Sequence, residues 1–133
     1  MTPFPYSIEE FASLLDAREM MYEHHIHHLP VTKDGAICGV ITDRDITVAL
    51  ARSEEEKRSS ICVADVRTID VYLVDLNARL DHVLIEMGEK RIGSAVVLKG
   101  DKLAGIFTVS DACRTFGEFL QELFPDGDDN LAA

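Results

Sequence analysis

With 133 residues, 47% of them hydrophobic and 28% charged, the chain has the make-up of one globular domain rather than of a disordered or fibrous segment. Its formal charge of −11 repels polynucleotides at long range and no Lys/Arg stripe offsets it, and no apolar run approaches the ~20 residues of a membrane span. Nucleic-acid and membrane partners are therefore not expected; with no secretory leader at its start and three cysteines (Cys38, Cys62, Cys113) in no metal-like spacing, the chain is expected to be cytoplasmic, with Cys38 and Cys113 as buried reduced thiols.

In chain order, Leu14, Ala17, Met20, Met21 and His24/His25 recur at helical spacing and predict an amphipathic helix over 13–24. A strand is expected over 29–32, a tight turn at Asp34-Gly35, a second strand over 36–41 and a helix over 43–52. The polar stretch 53–60 reads as a joint, which puts the first unit with its linker at 1–57. The second unit, 58–124, shows the same order: a short strand at 71–74, a helix over 78–89, strands over 94–98 and 102–107, and a helix over 111–123. Residues 125–133 are expected to form an acidic, frayed tail.

The similarity of the halves extends to single residues. Sliding the sequence by 66 positions, as from Thr42 to Thr108, superposes Leu14 on Leu80, Met21 on Met87, Val31 on Val97, Gly39 on Gly105 and Asp45 on Asp111. The period exceeds that of solenoids and propellers, so the expected fold is an α/β (α+β) pair of β-α-β-β-α units facing each other across a pseudo-two-fold axis. Each half alone is near the size at which a single core is marginal, so a shared core is expected, and two related clefts with it.

Each unit's second hairpin ends in one phrase, Gly39 to Asp45 and Gly105 to Asp111. A glycine inside an apolar strand leaves room for something to approach the backbone. The Thr-x-x-Asp that follows at a strand-to-helix junction has two readings. It is close to a capping box, which satisfies orphan N–H groups without any ligand. It also sets a hydroxyl and a carboxylate beside a helix N-terminus, groups suited to the phosphate and ribose hydroxyls of a nucleotide. Retention of Gly, Thr and Asp in both copies, while the residues between them vary, favours the second.

These phrases, with His28-Leu29-Pro30-Val31 and the opening Met1-Thr2-Pro3, resemble the tandem cystathionine-β-synthase-type (CBS) domain pair, or Bateman module, over essentially the whole chain. The resemblance implies a sensor of adenosine derivatives without catalysis of its own or any required cofactor, an adenine nucleotide being its regulatory ligand. It places ribose binding on Asp45 and Asp111, and phosphate or ribose contacts on Thr42 and Thr108. It has the segments Leu29, Pro30, Val31 and Ala95, Val96, Val97 frame the adenine, with His28 lining the cleft. It further implies a homodimer formed through helix faces, for which Met20, Met21, Ile85 and Met87 are candidates and core packing the equal alternative. A protein partner is implied without being identified. The chain departs from the family pattern at Val96, where the first unit has Pro30, at Arg67, where the family usually has Met, and at Ser110, where the first unit has Arg44. The second site is therefore expected to lack a phosphate-pairing guanidinium and to be the weaker of the two. A ligand-free interaction module, and a regulatory fragment of a larger enzyme or transporter, are the rival readings.

Two further clusters are weighed against metal binding. His24, His25, His27 and His28 span a helix end and a strand start, so their imidazoles are expected to diverge. The tail Asp126 to Asn130 echoes a calcium loop, but Leu131 stands where the glycine is needed. No motif of hydrolytic, nucleotide-cleaving or triad chemistry is present, and no catalytic or metal-binding residue is expected.

Overall fold

The computed structural model describes residues 2–3 and 6–125. After a two-residue strand β1 (Thr2–Pro3), the first unit runs β2 (Ile8–Glu9), α1 (Leu14–His24), β3 (His28–Lys33), β4 (Ala36–Thr42) and α2 (Asp43–Arg52). The second runs β5 (Leu73–Asp75), α3 (Leu80–Lys90), β6 (Ser94–Lys99), β7 (Lys102–Thr108) and α4 (Val109–Leu123). Local chemistry sets the boundaries that differ from expectation. Ser13 caps α1, its hydroxyl accepting the Asp16 N–H at 3.0 Å, so the helix proper starts one residue later. Asp75 accepts the Asn77 N–H through its side chain and the Ala78 N–H through its carbonyl, and this turn delays α3 to Leu80. Helix α4 begins at Val109 because Thr108, not Asp111, is its N-cap.

Each unit forms a small sheet in which the first strand is parallel to the second and the hairpin that follows is antiparallel. Strand β5 is one residue longer than β2 for a definable reason. In unit 2 the Val96 N–H donates to the Tyr72 carbonyl at 2.9 Å, whereas Pro30 at the matching position has no N–H to give.

The strand-like segment that opens each unit does not join its own sheet. Strand β1 runs antiparallel to β7 of unit 2, Thr2 opposite Ile106, and Thr68 pairs with Val40 of unit 1 through reciprocal bonds of 2.9 and 3.0 Å. Thr2 and Thr68, like Val40 and Ile106, are one repeat apart, so the exchange obeys the pseudo-two-fold axis. This explains the glycine in the strand. A Cβ on Gly39 would stand 2.7 Å from Arg67 Cδ and 2.8 Å from the Thr68 carbonyl, so what approaches the backbone there is the crossing chain, not a ligand.

The first unit's core is built from Leu14, Ala17 and Met21 of α1, Leu29, Val31 and Ile41 of the sheet, Ile46 and Leu50 of α2, and Val63 from the connection that follows. Burying such a side chain contributes about 1.5–3 kcal/mol. The connection is more than a polar joint. It forms 3-10 turns at Glu55–Ser60 and Val63–Asp65, and it is tied to the first unit where the Ile61 carbonyl accepts the Leu14 N–H and where the Val63 and Ala64 N–H groups donate to Ala12 and Glu10. By packing, this connection adds Val63 to the first unit's core and lays Ile61 and Val66 against it. Arg67 closes this region, with Nη1 donating to the Ala64 carbonyl at 2.6 Å, Nε to the Cys38 carbonyl at 3.2 Å, and Nη2 lying 3.4 Å from buried Glu10. Of the two thiols expected to be buried, Cys38 is half-buried and burial pushes its pKa up, but Cys113 is exposed on α4.

Candidate functional site

Both Thr-x-x-Asp phrases form complete capping boxes. Thr42 Oγ1 accepts the Asp45 N–H at 3.1 Å while Asp45 Oδ2 accepts the Thr42 N–H at 3.0 Å, and Thr108 and Asp111 repeat the pair at 3.2 and 2.9 Å. Capping and ligand binding are compatible, because a carboxylate has about four lone-pair sites and the cap uses one. The boxes aim each helix start at a cleft between the units.

The two clefts are repeat-related and each is made by both halves. One is a cavity of about 290 Å³ in which Ile106, Thr108, Ser110, Asp111 and Arg114 of unit 2 face Tyr6 and residues 25–28. The other, about 310 Å³, brings Val40 and Thr42 of unit 1 against Thr68, Asp70, Tyr72 and residues 91–94. These volumes lie at the lower end of the range for small-ligand sites.

The expected residues are distributed unevenly over this geometry. Thr108, Ser110 and Asp111 line the first cleft, Thr42 the second, and His28 both. Asp45 is half-buried behind Thr42 through its cap. Arg44 is exposed and is not among the residues lining the second cleft, while Arg114 lines the first and donates to Asp111 Oδ1 at 2.9 Å. The expectation that the second unit lacks a guanidinium is therefore corrected. A cation one helical turn after Asp111 faces the same way as the carboxylate, and its repeat partner in unit 1 is the uncharged Val48.

The adenine-framing expectation also changes. Leu29, Val31, Ala95 and Val97 point into the cores of their own units. With side chains alternating across a strand, Pro30 and Val96 lie on the opposite face, opposite Val40 and Ile106, and are buried outside both core clusters. None of the six lines either cleft; it is Val40 and Ile106 that do. Tyr6, Tyr72, Asp70, Arg91 and Arg114 were not singled out from the sequence. Tyr6 and Tyr72 sit one repeat apart, a signal in the duplication itself.

The four imidazoles diverge as expected. His24 stacks on Tyr6 with ring centroids 3.6 Å apart, His25 takes a left-handed backbone at φ 53°, His27 Nδ1 lies 2.7 Å from Asp43 Oδ2, and His28 turns between the units. Among the described residues no group of His, Cys, Asp and Glu is arranged to hold a metal ion, and the calcium-like tail lies outside them. Burial lowers the His28 pKa against the opposing pull of Asp43, Asp45 and Asp111. For Asp111 burial acts upward, but the Thr108 N–H and the Arg114 guanidinium help hold its carboxyl below the ordinary value.

The sequence pattern of the CBS domain family matches residues 1–52 and 63–118. L-aspartate semialdehyde sulfurtransferase of Methanocaldococcus jannaschii is 30% identical over 115 residues, covering 85% of this chain but only 21% of the relative's length. Hypoxic response protein 1 of Mycobacterium tuberculosis is 30% identical over 113 residues, covering 84% of this chain and 78% of its own. Among solved structures, a Vibrio cholerae protein named for acetoin utilization (AcuB) superposes with a TM-score of 0.79 at 29% identity, over 96% of this chain and 93% of that one. The CBS domain pair of protein MJ0100, in complex with 5′-methylthioadenosine and S-adenosyl-L-methionine, does so with a TM-score of 0.72 at 29% identity, over 86% and 90%. Among the described residues no helix is long and apolar enough to cross a membrane.

Proposed function

The chain belongs to the CBS domain family, as a tandem pair, and from that premise we propose that it is a regulatory protein which binds an adenosine-derived ligand in its inter-unit clefts and signals occupancy through its conformation or a protein partner. The carrying observation is that both clefts set a Thr hydroxyl at a helix N-terminus, with a carboxylate one turn on, against a wall from the other unit. A ligand bridging the units favours one relative placement of the halves, and only such differential contact turns binding into a signal. Each cleft has one guanidinium and one carboxylate, Arg114 with Asp111 in the first and Arg91 with Asp70 in the second, and the first adds His25 and His27 as further donors, which makes it the stronger phosphate site. No catalytic step is assigned to the chain.

A thermal-unfolding screen with AMP, ADP, ATP, NAD, S-adenosylmethionine and 5′-methylthioadenosine tests this. A ligand at a hundredfold excess over Kd stabilises the folded state by about 2.7 kcal/mol, a shift of several degrees. No shift with any of them at millimolar concentration favours the ligand-free module, a reading supported by both Thr-Asp pairs already being satisfied as caps.

The same reading includes a homodimer, with its interface moved from the residues named in the sequence. Met21 and Met87 are buried in the cores and Met20 packs on the first, which leaves Ile85. It is joined on unit 2 by exposed Leu80, Leu84, Phe116, Phe119 and Leu123. We assign the contact to this apolar face of α3 and α4. Light scattering over a dilution series should show a dimer that Phe116→Ser weakens; a mass of 14.8 kDa at every concentration removes the assignment.

A further inference from the structure

Among the described residues, one side chain lines both clefts. His28 begins β3 directly opposite Thr42, and its imidazole reaches across to unit 2, where a Cβ on Gly93 would come within 3.9 Å of His28 Cε1. Its repeat partner Ser94 stands opposite Thr108 in the same way yet lines only the Thr42 cleft, because a hydroxymethyl group is too short to cross the axis. The His28 Nδ1 atom is buried and has no hydrogen-bond partner, a state that native proteins rarely leave uncompensated.

We propose that His28 couples the two clefts, so that occupancy of one changes the affinity of the other. This rests on the reading that adenosine-derived ligands enter both. A neutral imidazole offers one N–H donor and one acceptor nitrogen. A ligand that engages either nitrogen from one cleft fixes the tautomer and the ring plane, and thereby what the ring presents to the other. Two copies of the same ligand ask for the same group, and the ring supplies it once. The coupling is therefore negative for identical ligands, and by linkage it is reciprocal. Asp43 and Asp45 at the head of α2 and Asp111 at the head of α4 act on the same ring from the two sides, while its neighbour His27 opposes them. The ring is thus held between two carboxylate-bearing clefts and committed to neither.

The test is calorimetric titration of the full chain with S-adenosyl-L-methionine and, separately, AMP. Four proteins are compared: the parent and Asp111→Ala, each with His28 and with His28→Ser. Serine is already accommodated at the repeat-related position 94. With His28 present, silencing the Asp111 cleft should tighten the Thr42 cleft by roughly 5-fold or more, within the usual range of allosteric coupling. In the His28→Ser background the same substitution should leave that affinity unchanged. Equal tightening in both backgrounds assigns the coupling elsewhere and overturns the inference, as do unchanged affinities in both. A single equivalent bound by the parent that stays single in His28→Ser overturns it as well. No binding heat from either probe in any protein instead defeats the adenosine reading, and this inference with it. Circular dichroism checks the fold of each variant; if His28→Ser does not fold, His28→Asn, also too short to cross, takes its place under the same criteria.

Discussion

Leu14 and Leu80 occupy the same position of the repeat, as do Leu50 and Phe116, yet Leu14 and Leu50 are 0% and 7% exposed while Leu80 and Phe116 are 49% and 62% exposed. The units share a plan, and what differs is the chain that follows it. After α2 the chain breaks at Ser53 and returns, laying Ile61, Val63 and Val66 across the mouth between α1 and α2. After Glu118, the repeat partner of Arg52, α4 continues to Leu123, and among the described residues nothing covers the groove lined by Val74, Leu76, Leu80, Val83 and Phe107. Among the described residues, the duplicated sequence therefore yields one closed core and one that presents its apolar residues outward.

The strongest way to break the comparison is at Arg67, which joins the lid to Glu10. Arg67→Met installs the residue usual for the family but leaves buried Glu10 with only the exposed Lys33 ammonium 3.8 Å away, and should cost a large part of the about 3–5 kcal/mol of a broken buried pair in urea unfolding. Leu76 is the repeat partner of Glu10, so Glu10→Leu combined with Arg67→Met makes unit 1 apolar there, like unit 2, and should recover most of the loss. Failure to recover would mean that the polar contacts, not the paired charges, hold the lid.

Next comes the matched pair of positions. Leu50→Ala should destabilise by about 2–5 kcal/mol, as expected of a buried leucine. Phe116→Ala should change the stability of the dilute monomer by about 0.5 kcal/mol or less and act on association instead. Equal destabilisation of dilute protein by both would show that unit 2 closes its groove within one chain.

Gly39→Ala drives a methyl group into Arg67 and the Thr68 carbonyl and should cost about 1–3 kcal/mol, together with faster hydrogen exchange at the Val40 and Thr68 amides. Unaltered exchange there would show that the crossing segment yields without cost.

The smallest expected effect is on pH dependence. The folded pKa of His28 lies below its ordinary 6.5, so the unfolded chain binds the proton more readily. Its contribution is complete above pH 6.5 and is lost as pH falls through the lower folded value. Asp111, depressed below 3.8, contributes above that pH and loses its contribution as pH falls through its own folded value. Melting curves should therefore show a step below pH 6.5 that His28→Ser removes, leaving the acidic step in place. An unchanged upper step in His28→Ser assigns it to another histidine.

The features legible in the chain are local or repeated. Helical spacing, the Asp34-Gly35 turn and the two capping phrases act within a few residues, and the shift from Thr42 to Thr108 showed two units and two clefts. The placement of Thr42, Thr108 and Asp111 beside the clefts was legible because a cap and its helix N-terminus are set by contiguous residues. The remaining features depend on which distant segments meet. Nothing local distinguishes Pro30, buried outside the core cluster, from Val31, buried within it; nor does it show that Arg44 stands outside the Thr42 cleft while Arg114 faces Asp111. The crossing of β1 and Thr68 into the opposite sheets, the lid on unit 1 and the reach of His28 into both clefts likewise depend on how the copies dock. A repeat specifies that its halves are alike, and the contacts made between them decide where they differ.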